Sequence, residues 1–285
     1  MPVLSIQSAV AYGYVGNAAA RVVLPALGHE CWTVDTVCFS NHPGYGRFTG
    51  RVVPAAEVLG LVNGLEALGV FAAANAVLSG YLGEPGSAAA VIQAVKGVRA
   101  ANPKALYLCD PVIGDVLEGG ATGVFVRPGV PDAIQRDLLP LTDVTSPNAF
   151  ELGFLTGGAA PADVPAAVAA ARTLIARGPK LVLVTSHIGA DVPADSLDTL
   201  AVTADGAWRV RTPRLGLRFD GAGDTLSALF LADLMDTGSA ADALSSAVSR
   251  LQPVLAATTS PRHLALVASL AAVRSPPERF SAETL

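Results

Sequence analysis

Short apolar runs of strand length alternate with longer segments of helical period from the start of the chain to about residue 187. The runs that predict strands are residues 3–7, 31–36, 76–79, 105–109, 143–145 and 181–185. The segments that predict helices are residues 17–27, 55–68, 87–101, 131–138, 149–155 and 161–177. This alternation predicts a parallel sheet with right-handed crossovers and helices on both of its faces.

The pattern changes after Ile188. Residues 197–204 and 207–212 have strand character and are joined by Asp205 and Gly206, which favour a tight hairpin, so we expect an antiparallel edge. Three helical patterns follow, at residues 225–235, 240–257 and 261–273. Because the sequence contains no repeat, linker or charge block, residues 1–285 are expected to form one domain. Ligands of such a sheet lie beyond the carboxyl ends of its strands.

Composition limits the partners of the chain. Its 285 residues are 51% hydrophobic and 15% charged, with a formal net charge of −5. The uncharged run at residues 67–83 is broken by polar residues and glycines, and it is shorter than the about 20 apolar residues of a spanning helix. We therefore expect a cytoplasmic protein without leader or membrane segment and, since basic runs are missing, without a nucleic-acid partner.

The residues that commonly bind metals are dispersed. Cys31, Cys38 and Cys109 lie in separate strand-like stretches, which predicts core positions rather than a disulfide framework or a zinc site. The four histidines have no partners at metal-ligand spacing, which argues against a metallohydrolase.

The strongest chemical motif is the run DGAGDT at residues 220–225, between the hairpin and an alanine- and leucine-rich helix. Its glycines leave backbone N–H groups open, and the positive helix start would help them hold an anion such as a transferring phosphoryl group. Asp224 would then act as general base toward an attacking hydroxyl. An ordinary glycine loop with Asp224 as helix N-cap fits the same residues.

A second motif, DPVIGD at residues 110–115, directly follows an apolar strand. Its two carboxylates, Asp110 and Asp115, suit a magnesium–phosphate site, because Mg²⁺ is usually held by few carboxylates together with substrate oxygens and water. A simple turn is the alternative, since Asp, Pro and Gly favour turns.

Two further motifs also end strands. Asn148 and Glu151, in SPNAFE at residues 146–151, have the spacing of a helix capping box, and the competing interpretation has Glu151 orient metal-bound water. Thr185 and Ser186 end the strand at residues 181–185, where their hydroxyls suit either a nucleotide phosphate or the strand end itself.

Glycines and aromatic residues follow the first three strands. The turn at residues 12–17 lacks the G-x-G-x-x-G spacing of a dinucleotide site. The loops at residues 39–46 and 79–83 are polar and aromatic, so they suit either a pocket for a flat polar ring or ordinary packing.

Together these segments resemble the pyridoxal kinase branch of the ribokinase-like superfamily. The similarity runs through SIQSAVAYGYVGNAAA, FSNHPGYGRFTG, VLSGYLG, CDPVIGD, SPNAFEL, VLVTS, DGAGDT and the tail PPERFSAETL. No single segment decides the family, but their order and spacing are specific. The resemblance implies a ribokinase-like α/β fold with three α/β/α layers, a mostly parallel central sheet, an antiparallel edge and no large lid domain.

The resemblance also implies transfer of the γ-phosphate of ATP to the 5′-hydroxymethyl group of pyridoxal, with pyridoxine and pyridoxamine as further substrates. Members of the family are typically homodimers that use Mg²⁺, often with a monovalent cation such as K⁺ or Na⁺. By matched position, Asp224 is the general base, and Gly221, Ala222 and Gly223 form the anion hole.

The remaining site residues are also carried over by position. Contacts to phosphates and metal ions match Asp110, Asp115, Ser146 and Glu151, with Asp110 and Glu151 at the metal, and nucleotide contacts match Thr185 and Ser186. Contacts to the pyridine ring match Ser8 and Tyr81, with Val37 and Phe39 lining the pocket. Residues 116–122 match a flap that closes over the phosphates.

One position departs from the family pattern. Pro43 stands where members commonly have a threonine that faces the substrate, and proline has neither a hydroxyl nor an N–H group. A lost hydrogen bond costs about 1 kcal/mol, so we expect weaker binding or a changed preference among the substrates.

Other functions remain open at this point. Hydroxymethylpyrimidine kinase activity would use the same anion hole and base, although the amino-terminal motifs favour pyridoxal. Sugar kinases of the superfamily carry a small β-lid for which residues 13–27 leave little room. A non-catalytic binding protein is a further alternative, but it would not need Asp224 beside the glycines. A nicotinamide-dependent oxidoreductase is another, but this sequence lacks the glycine fingerprint of such enzymes.

Overall fold

The computed structural model describes residues 1–116, 122–260 and 262–285. Its strands are β1 (Val3–Tyr12), β2 (Cys31–Asn41), β3 (Gly50–Val52), β4 (Ala76–Ser79), β5 (Leu106–Cys109), β6 (Gly114–Val116), β7 (Thr122–Val124), β8 (Val144–Thr145), β9 (Leu181–His187), β10 (Ser196–Thr203), β11 (Ala207–Pro213) and β12 (Glu283–Thr284). Its α-helices are α1 (Asn17–Ala26), α2 (Ala55–Ala67), α3 (Ala88–Ala101), α4 (Val130–Ala133), α5 (Ala149–Thr156), α6 (Val164–Ile175), α7 (Ala222–Thr237), α8 (Ala240–Ala257) and α9 (Leu270–Arg274).

Ten of these strands form one sheet in the order β12-β11-β10-β9-β8-β5-β4-β1-β2-β3. The strands from β9 to β2 run parallel to one another. At one edge β10, β11 and β12 continue antiparallel, and at the other edge β3 pairs antiparallel with β2. The expected mostly parallel sheet with an antiparallel edge is confirmed, and β3 adds a second such edge. A separate two-stranded sheet consists of β6 and β7.

Helices cover both faces of the ten-stranded sheet. Alternate side chains of each parallel strand point to opposite faces, so Leu4 and Val77 belong to one apolar cluster and Val3 and Leu78 to another. Residues of α2, α3, α5 and α6 pack in the first cluster, while residues of α1, α7 and α8 pack in the second. The three α/β/α layers follow from this division.

Strands β1 and β2 are longer than their apolar runs predicted. They continue as a parallel ladder past a register shift between Gln7 and Ala9, and the side chains become increasingly exposed there. Backbone pairing holds this extension, so no apolar alternation marks it in the sequence. Cys38 lies on it opposite Arg51 of β3 and is exposed. The expectation of a core position was therefore wrong for Cys38, whereas Cys109 is buried.

The helix expected at residues 261–273 was also wrong. Pro261 lies outside the described residues. Among the described residues of this range, only those from residue 270 onward are helical, in Leu270–Arg274, and residues 262–269 form turns and an isolated bridge between Ser260 and His263. The N–H of Ala265 donates to Thr258 Oγ1 at 2.9 Å rather than to a helical carbonyl, and Leu264 and Leu266 are both buried. In the described ranges, no helix is long and apolar enough to cross a membrane.

Candidate active site

The loops that follow β1, β2, β4, β5, β8 and β9 meet at one edge of the sheet, because these neighbouring strands run parallel. Each candidate residue derived from a strand end lies at this edge. Helix α7 also begins there, directly after the segment at residues 220–225, which we call the anion loop. The edge is therefore where the candidate site lies.

The anion loop needs a glycine at its second position. Gly221 precedes α7 with φ +86°, in the left-handed region that favours glycine. A Cβ built on Gly221 would lie 1.8 Å from the carbonyl oxygen of Tyr14, so no side chain fits. A Cβ on Gly223 would meet no atom within 4 Å. The loop thus packs against the residues after β1 at Gly221 and faces open space at Gly223.

Asp224 lies in the first turn of α7 and is partly exposed. Burial of its carboxylate raises its pKa above the usual value, and the Gly16 N–H and the charge of His42 oppose this rise. Gly16 itself has φ +53°, and a Cβ there would lie 2.2 Å from the carbonyl oxygen of Ser8. The turn before α1 therefore lies beside Asp224 at Gly16 and packs closely on Ser8 of β1.

Asp110 connects to α7 through a serine that sequence reasoning missed. Ser227 Oγ donates to Asp110 Oδ2 at 3.2 Å and lies 2.9 Å from Ser146 Oγ, and all three residues are buried. Burial, together with the charges of Asp224 and Glu151, raises the pKa of Asp110 well above its ordinary value. The negative charges of Asp224 and Glu151 thus both favour the protonated form of Asp110.

Glu151 combines two structural roles. It completes the capping box at the start of α5, with Asn148 Oδ1 accepting from Glu151 N at 2.8 Å and Glu151 Oε2 accepting from Asn148 N at 3.0 Å. Its other oxygen accepts from the N–H groups of Ile113 at 2.9 Å and Gly114 at 3.3 Å. Burial nevertheless raises the pKa of Glu151 to about 8. The predicted capping box is confirmed, and the same carboxylate holds the loop after Asp110.

Asp115 lies on β6 and pairs with Arg218, which precedes the anion loop and also donates to the carbonyl of Val116. Burial raises the pKa of Asp115 although Arg218 opposes this. Of the flap predicted at residues 116–122, residues 117–121 lie outside the described part of the chain. Arg218 therefore links Asp115 and Val116, which directly precede these residues, to the anion loop.

The end of β9 carries the other hydroxyl pair. Thr185 is buried, and its N–H donates to the carbonyl of Pro147 at 2.9 Å. Ser186 is exposed and has φ +53°, and among the described residues it is the only one other than glycine with positive φ. This backbone conformation is strained for an L-residue, and it departs from regular strand geometry at the exposed Ser186.

The candidate ring contacts lie on the neighbouring strands. Ser8 ends the buried part of β1, and Tyr81 follows β4, where its carbonyl oxygen accepts from Thr36 Oγ1 at 2.5 Å. Phe39 contacts Phe48 with ring centroids 4.7 Å apart, and it borders a groove of about 450 Å³ beside the ends of β1 and β2. Val37 is buried rather than open to that groove.

A buried polar network supports this side of the site. Asn17, the first residue of α1, accepts from Ser5 Oγ at 2.7 Å and donates to Asp35 Oδ1 at 2.7 Å and to the carbonyl oxygen of Val34 at 3.1 Å. Gln7 Nε2 donates to Ser5 Oγ at 2.9 Å. The network ties the start of α1 to β1 and β2, so it fixes the turn that carries Gly16.

Pro43 begins a short 3₁₀ turn, Pro43–Tyr45, within the segment at residues 42–46, which we call the 42–46 loop. His42 Nδ1 lies 2.9 Å from Asp220 Oδ2, and Arg262 Nη1 donates to the same oxygen at 2.9 Å. Although burial raises the pKa of Asp220, His42 and Arg262 hold it below its usual value. Neither Arg262 nor its contact with Asp220 carried any signal in the sequence.

The donor set for a divalent metal ion is small. Within the described ranges, no three His, Cys, Asp or Glu side chains form a ready-made metal centre. Asp110 is a buried carboxylate whose Oδ2 accepts only the Ser227 hydroxyl among these residues, whereas both oxygens of Glu151 already accept backbone N–H groups. One carboxylate with free capacity, beside others that raise its pKa, fits Mg²⁺ held largely by substrate oxygens and water.

Comparison with known proteins gives consistent results. A family model described as phosphomethylpyrimidine kinase matches residues 72–266. A pyridoxal kinase of Deinococcus radiodurans is 47% identical and covers 99% of this chain and 95% of that protein. A pyridoxal kinase of Leifsonia xyli is 43% identical, with coverage of 99% and 98%. The solved structure of a Leishmania donovani pyridoxal kinase in complex with ADP and pyridoxine has a TM-score of 0.91 at 29% identity, covering 100% of this chain and 99% of that one.

Proposed function

The chain belongs to the family of pyridoxal kinases, and from this we propose that it transfers the γ-phosphate of ATP to the 5′-hydroxymethyl group of pyridoxal. The product is pyridoxal 5′-phosphate, and pyridoxine and pyridoxamine are further acceptors of the same chemical type. The observation that carries the proposal is the place of α7: Asp224 lies in its first turn, and Ser227 on the same helix donates to Asp110.

Asp224 is the general base in this proposal. The raised pKa of its carboxylate brings it nearer to the working pH, where a base accepts a proton most effectively. The attacking oxygen of the substrate loses its proton to Asp224 as the oxygen–phosphorus bond forms, and ADP leaves from the opposite side of the phosphorus.

The anion loop stabilises the phosphoryl group during transfer. Gly221, Ala222 and Gly223 carry backbone N–H groups at the start of α7, where the helix dipole adds partial positive charge. The N–H of Ala222 donates to the carbonyl oxygen of Phe219 at 3.3 Å, so it would have to turn from that carbonyl to the phosphoryl group. Donors that are already in place when charge develops need no reorganisation, so they stabilise the transition state efficiently. The close packing of Gly221 on Tyr14 keeps these N–H groups in position.

Asp110 is the residue that would hold Mg²⁺, and Glu151 would act on metal-bound water, since its oxygens already accept three backbone N–H groups. When bound, Mg²⁺ supplies positive charge that offsets the charge of the phosphate oxygens. In this proposal, Ser146, Thr185, Ser186 and Asp115 contact the phosphates and the nucleotide. A monovalent cation beside the phosphates is part of the same proposal.

On the acceptor side, Ser8 and Tyr81 contact the pyridine ring, and Val37, Phe39 and Pro43 shape its pocket. Because Val37 is buried, its contribution is to support the pocket wall from behind rather than to touch the ring broadly. We also propose that residues 1–285 act as one kinase domain, and that the protein is a cytoplasmic homodimer.

The test is steady-state phosphorylation with ATP and Mg²⁺, using pyridoxal, pyridoxine, pyridoxamine and hydroxymethylpyrimidine in parallel. Strong turnover of pyridoxal supports the proposal. Turnover of hydroxymethylpyrimidine alone would assign the sibling activity, which the matching phosphomethylpyrimidine kinase family model makes the second candidate. Binding of pyridoxal without ATP turnover would indicate a binding protein.

A further inference from the structure

Arg262 touches two segments that border the acceptor side of the site. Its Nη1 donates to Asp220 Oδ2 at 2.9 Å, and its carbonyl oxygen accepts from Tyr45 Oη at 3.0 Å. A Cβ built on Gly44 would lie 2.2 Å from Arg262 Nη1, so the guanidinium packs directly on the backbone of the 42–46 loop. One side chain therefore joins that loop to the first residue of the anion loop.

The other contact between these loops depends on the tautomer of His42. His42 Nδ1 lies 2.9 Å from Asp220 Oδ2 and also 3.2 Å from the N–H of Gly44. One ring nitrogen cannot donate to Asp220 and accept from Gly44 at the same time. The guanidinium of Arg262 is always charged and always a donor. It is therefore the tie to Asp220 that does not depend on the tautomer of His42.

The residues that follow Arg262 in the chain are well anchored. Leu264 and Leu266 next to it are buried, and Thr258 Oγ1 accepts from Ala265 N at 2.9 Å. His263 stacks on Tyr12 at the end of β1, with ring centroids 4.7 Å apart and an interplanar angle of 22°. The backbone that carries Arg262 is thus anchored by its neighbours, so less conformational freedom of this segment is lost when Arg262 pairs with Asp220.

The positive charge of Arg262 also offsets the negative charge of Asp220 beside the anion loop. Asp220 lies four positions before Asp224, at the entry to the anion loop. An unpaired carboxylate there would repel phosphate, and a cation at hydrogen-bond distance offsets this effect. The half-buried position of the Arg262–Asp220 pair reduces screening by solvent.

Resting on the kinase activity proposed above, we propose that Arg262 is a positioning residue that clamps the 42–46 loop onto Asp220 and thereby orders the wall of the acceptor pocket. Pro43 offers this loop no side-chain hydroxyl and no N–H group. The loop is instead held from outside the pocket, at Gly44, Tyr45 and His42.

The first test measures the loop without any substrate. Hydrogen–deuterium exchange of peptides covering residues 40–50 is compared among the wild type, Arg262→Gln and Arg274→Gln. Arg274 is the matched control, because it lies in the same carboxyl-terminal part but donates to the carbonyl of Ala26. Faster exchange in Arg262→Gln alone supports the clamp. Unchanged exchange in Arg262→Gln would overturn it.

The second test measures the effect on the reaction. We expect Arg262→Gln to raise KM for pyridoxal about tenfold, equivalent to about 1.4 kcal/mol, with KM for ATP little changed. Arg262→Lys keeps the charge and should recover part of the loss, which a general folding defect would not allow. Asp220→Asn should loosen the loop as well, because Asp220 contacts both Arg262 and His42. The double variant should be no worse than Asp220→Asn alone, since the Arg262–Asp220 pair is then already lost. An equal rise in KM for ATP and for pyridoxal would overturn the positioning role.

The two proposals fail in different ways. If the wild type turns over none of the pyridoxal-type substrates, the proposed function fails, and the exchange measurement still decides whether Arg262 orders the 42–46 loop. If pyridoxal is a good substrate and Arg262→Gln leaves both its KM and the exchange unchanged, the clamp alone fails.

Discussion

Ser227 Oγ donates to Asp110 Oδ2 at 3.2 Å from the helix whose first turn carries Asp224. The proposed base and the proposed metal carboxylate are thus held by one rigid element, although Asp110 and Ser227 are 117 positions apart in the chain. A helix fixes the spacing of residues one turn apart, so a displacement of α7 would move both partners together.

The role of Asp224 predicts the effect of its removal. Asp224→Asn should lower kcat by roughly 10²–10⁴-fold, the usual contribution of a general base, while the affinity for ATP changes little. Asp242→Asn, in the exposed first turn of α8, is the control and should leave kcat unchanged. Steady-state kinetics with nucleotide titration provides the measurement, and a near-normal kcat in Asp224→Asn would remove the residue from this role.

Ser227→Ala should weaken the use of Mg²⁺. The change removes a donor to the ionised form of Asp110 and a partner of Ser146, so Asp110 holds its proton more tightly and is less well oriented. We expect the Mg²⁺ concentration for half-maximal rate to rise about tenfold, the scale of one hydrogen bond to a charged group. Ser196→Ala in β10 is the control. An unchanged Mg²⁺ requirement would show that Asp110 does not depend on Ser227.

The two glycines of the anion loop should differ sharply in tolerance. Gly221→Ala places a Cβ against the Tyr14 carbonyl in a left-handed conformation, so we expect a lower melting temperature and a large loss of kcat. Gly223→Ala meets nothing within 4 Å and should keep the melting temperature of the wild type. Thermal unfolding and kinetics of the two variants test this contrast. Equal destabilisation by both would contradict the packing seen here.

Asp233 should give the protein a distinctive pH dependence. Burial raises the pKa of Asp233 from 3.8 to about 6, although Arg250 opposes the rise. Between these values the folded state binds more protons than the unfolded state, so the free energy of unfolding should fall as pH rises from about 4 to about 6. The loss is on the order of 2–3 kcal/mol, from about 1.4 kcal/mol per pKa unit.

Urea unfolding of wild type and Asp233→Asn across this pH range provides the measurement. The wild type should lose stability relative to Asp233→Asn as pH rises, because the amide does not ionise. Glu278→Gln changes an exposed carboxylate near the carboxyl terminus and is the control. Parallel pH profiles for wild type and Asp233→Asn would show that Asp233 titrates in the folded protein as it does in the unfolded chain.

Local patterns predicted most of the architecture. The strand at residues 76–79 and the helix at residues 240–257 are present with the predicted bounds, because apolar periodicity is a property of neighbouring residues. Asp110, Ser146 and Asp224 could be proposed from the sequence for a similar reason, since each directly follows a strand or lies in the first turn of a helix. The capping box of Asn148 and Glu151 is also local.

What could not be predicted depends on distant pairs. Arg218 meets Asp115 across 103 positions, and Arg262 meets Asp220 across 42. No spacing rule connects such residues before the fold is known. The segment before α9 was predicted to be helical from its local pattern. It is irregular because the N–H of Ala265 donates to Thr258, an acceptor outside the segment. Cys38 was misplaced because the β1–β2 extension is held by backbone pairing rather than by apolar burial.

The activity of Glu151 variants is easily misinterpreted, because the same carboxylate has structural contacts and a proposed role at the metal. Its carboxylate accepts from the N–H of Asn148, the N-cap residue of α5, and from the N–H groups of Ile113 and Gly114 in the loop after Asp110. A replacement there would change helix stability and the path of that loop in a single step. A mutational survey scored only by growth or total turnover would count Glu151 among the chemical groups even if its whole effect came through the backbone. Measuring the melting temperature and kcat of the same variant separates the two contributions.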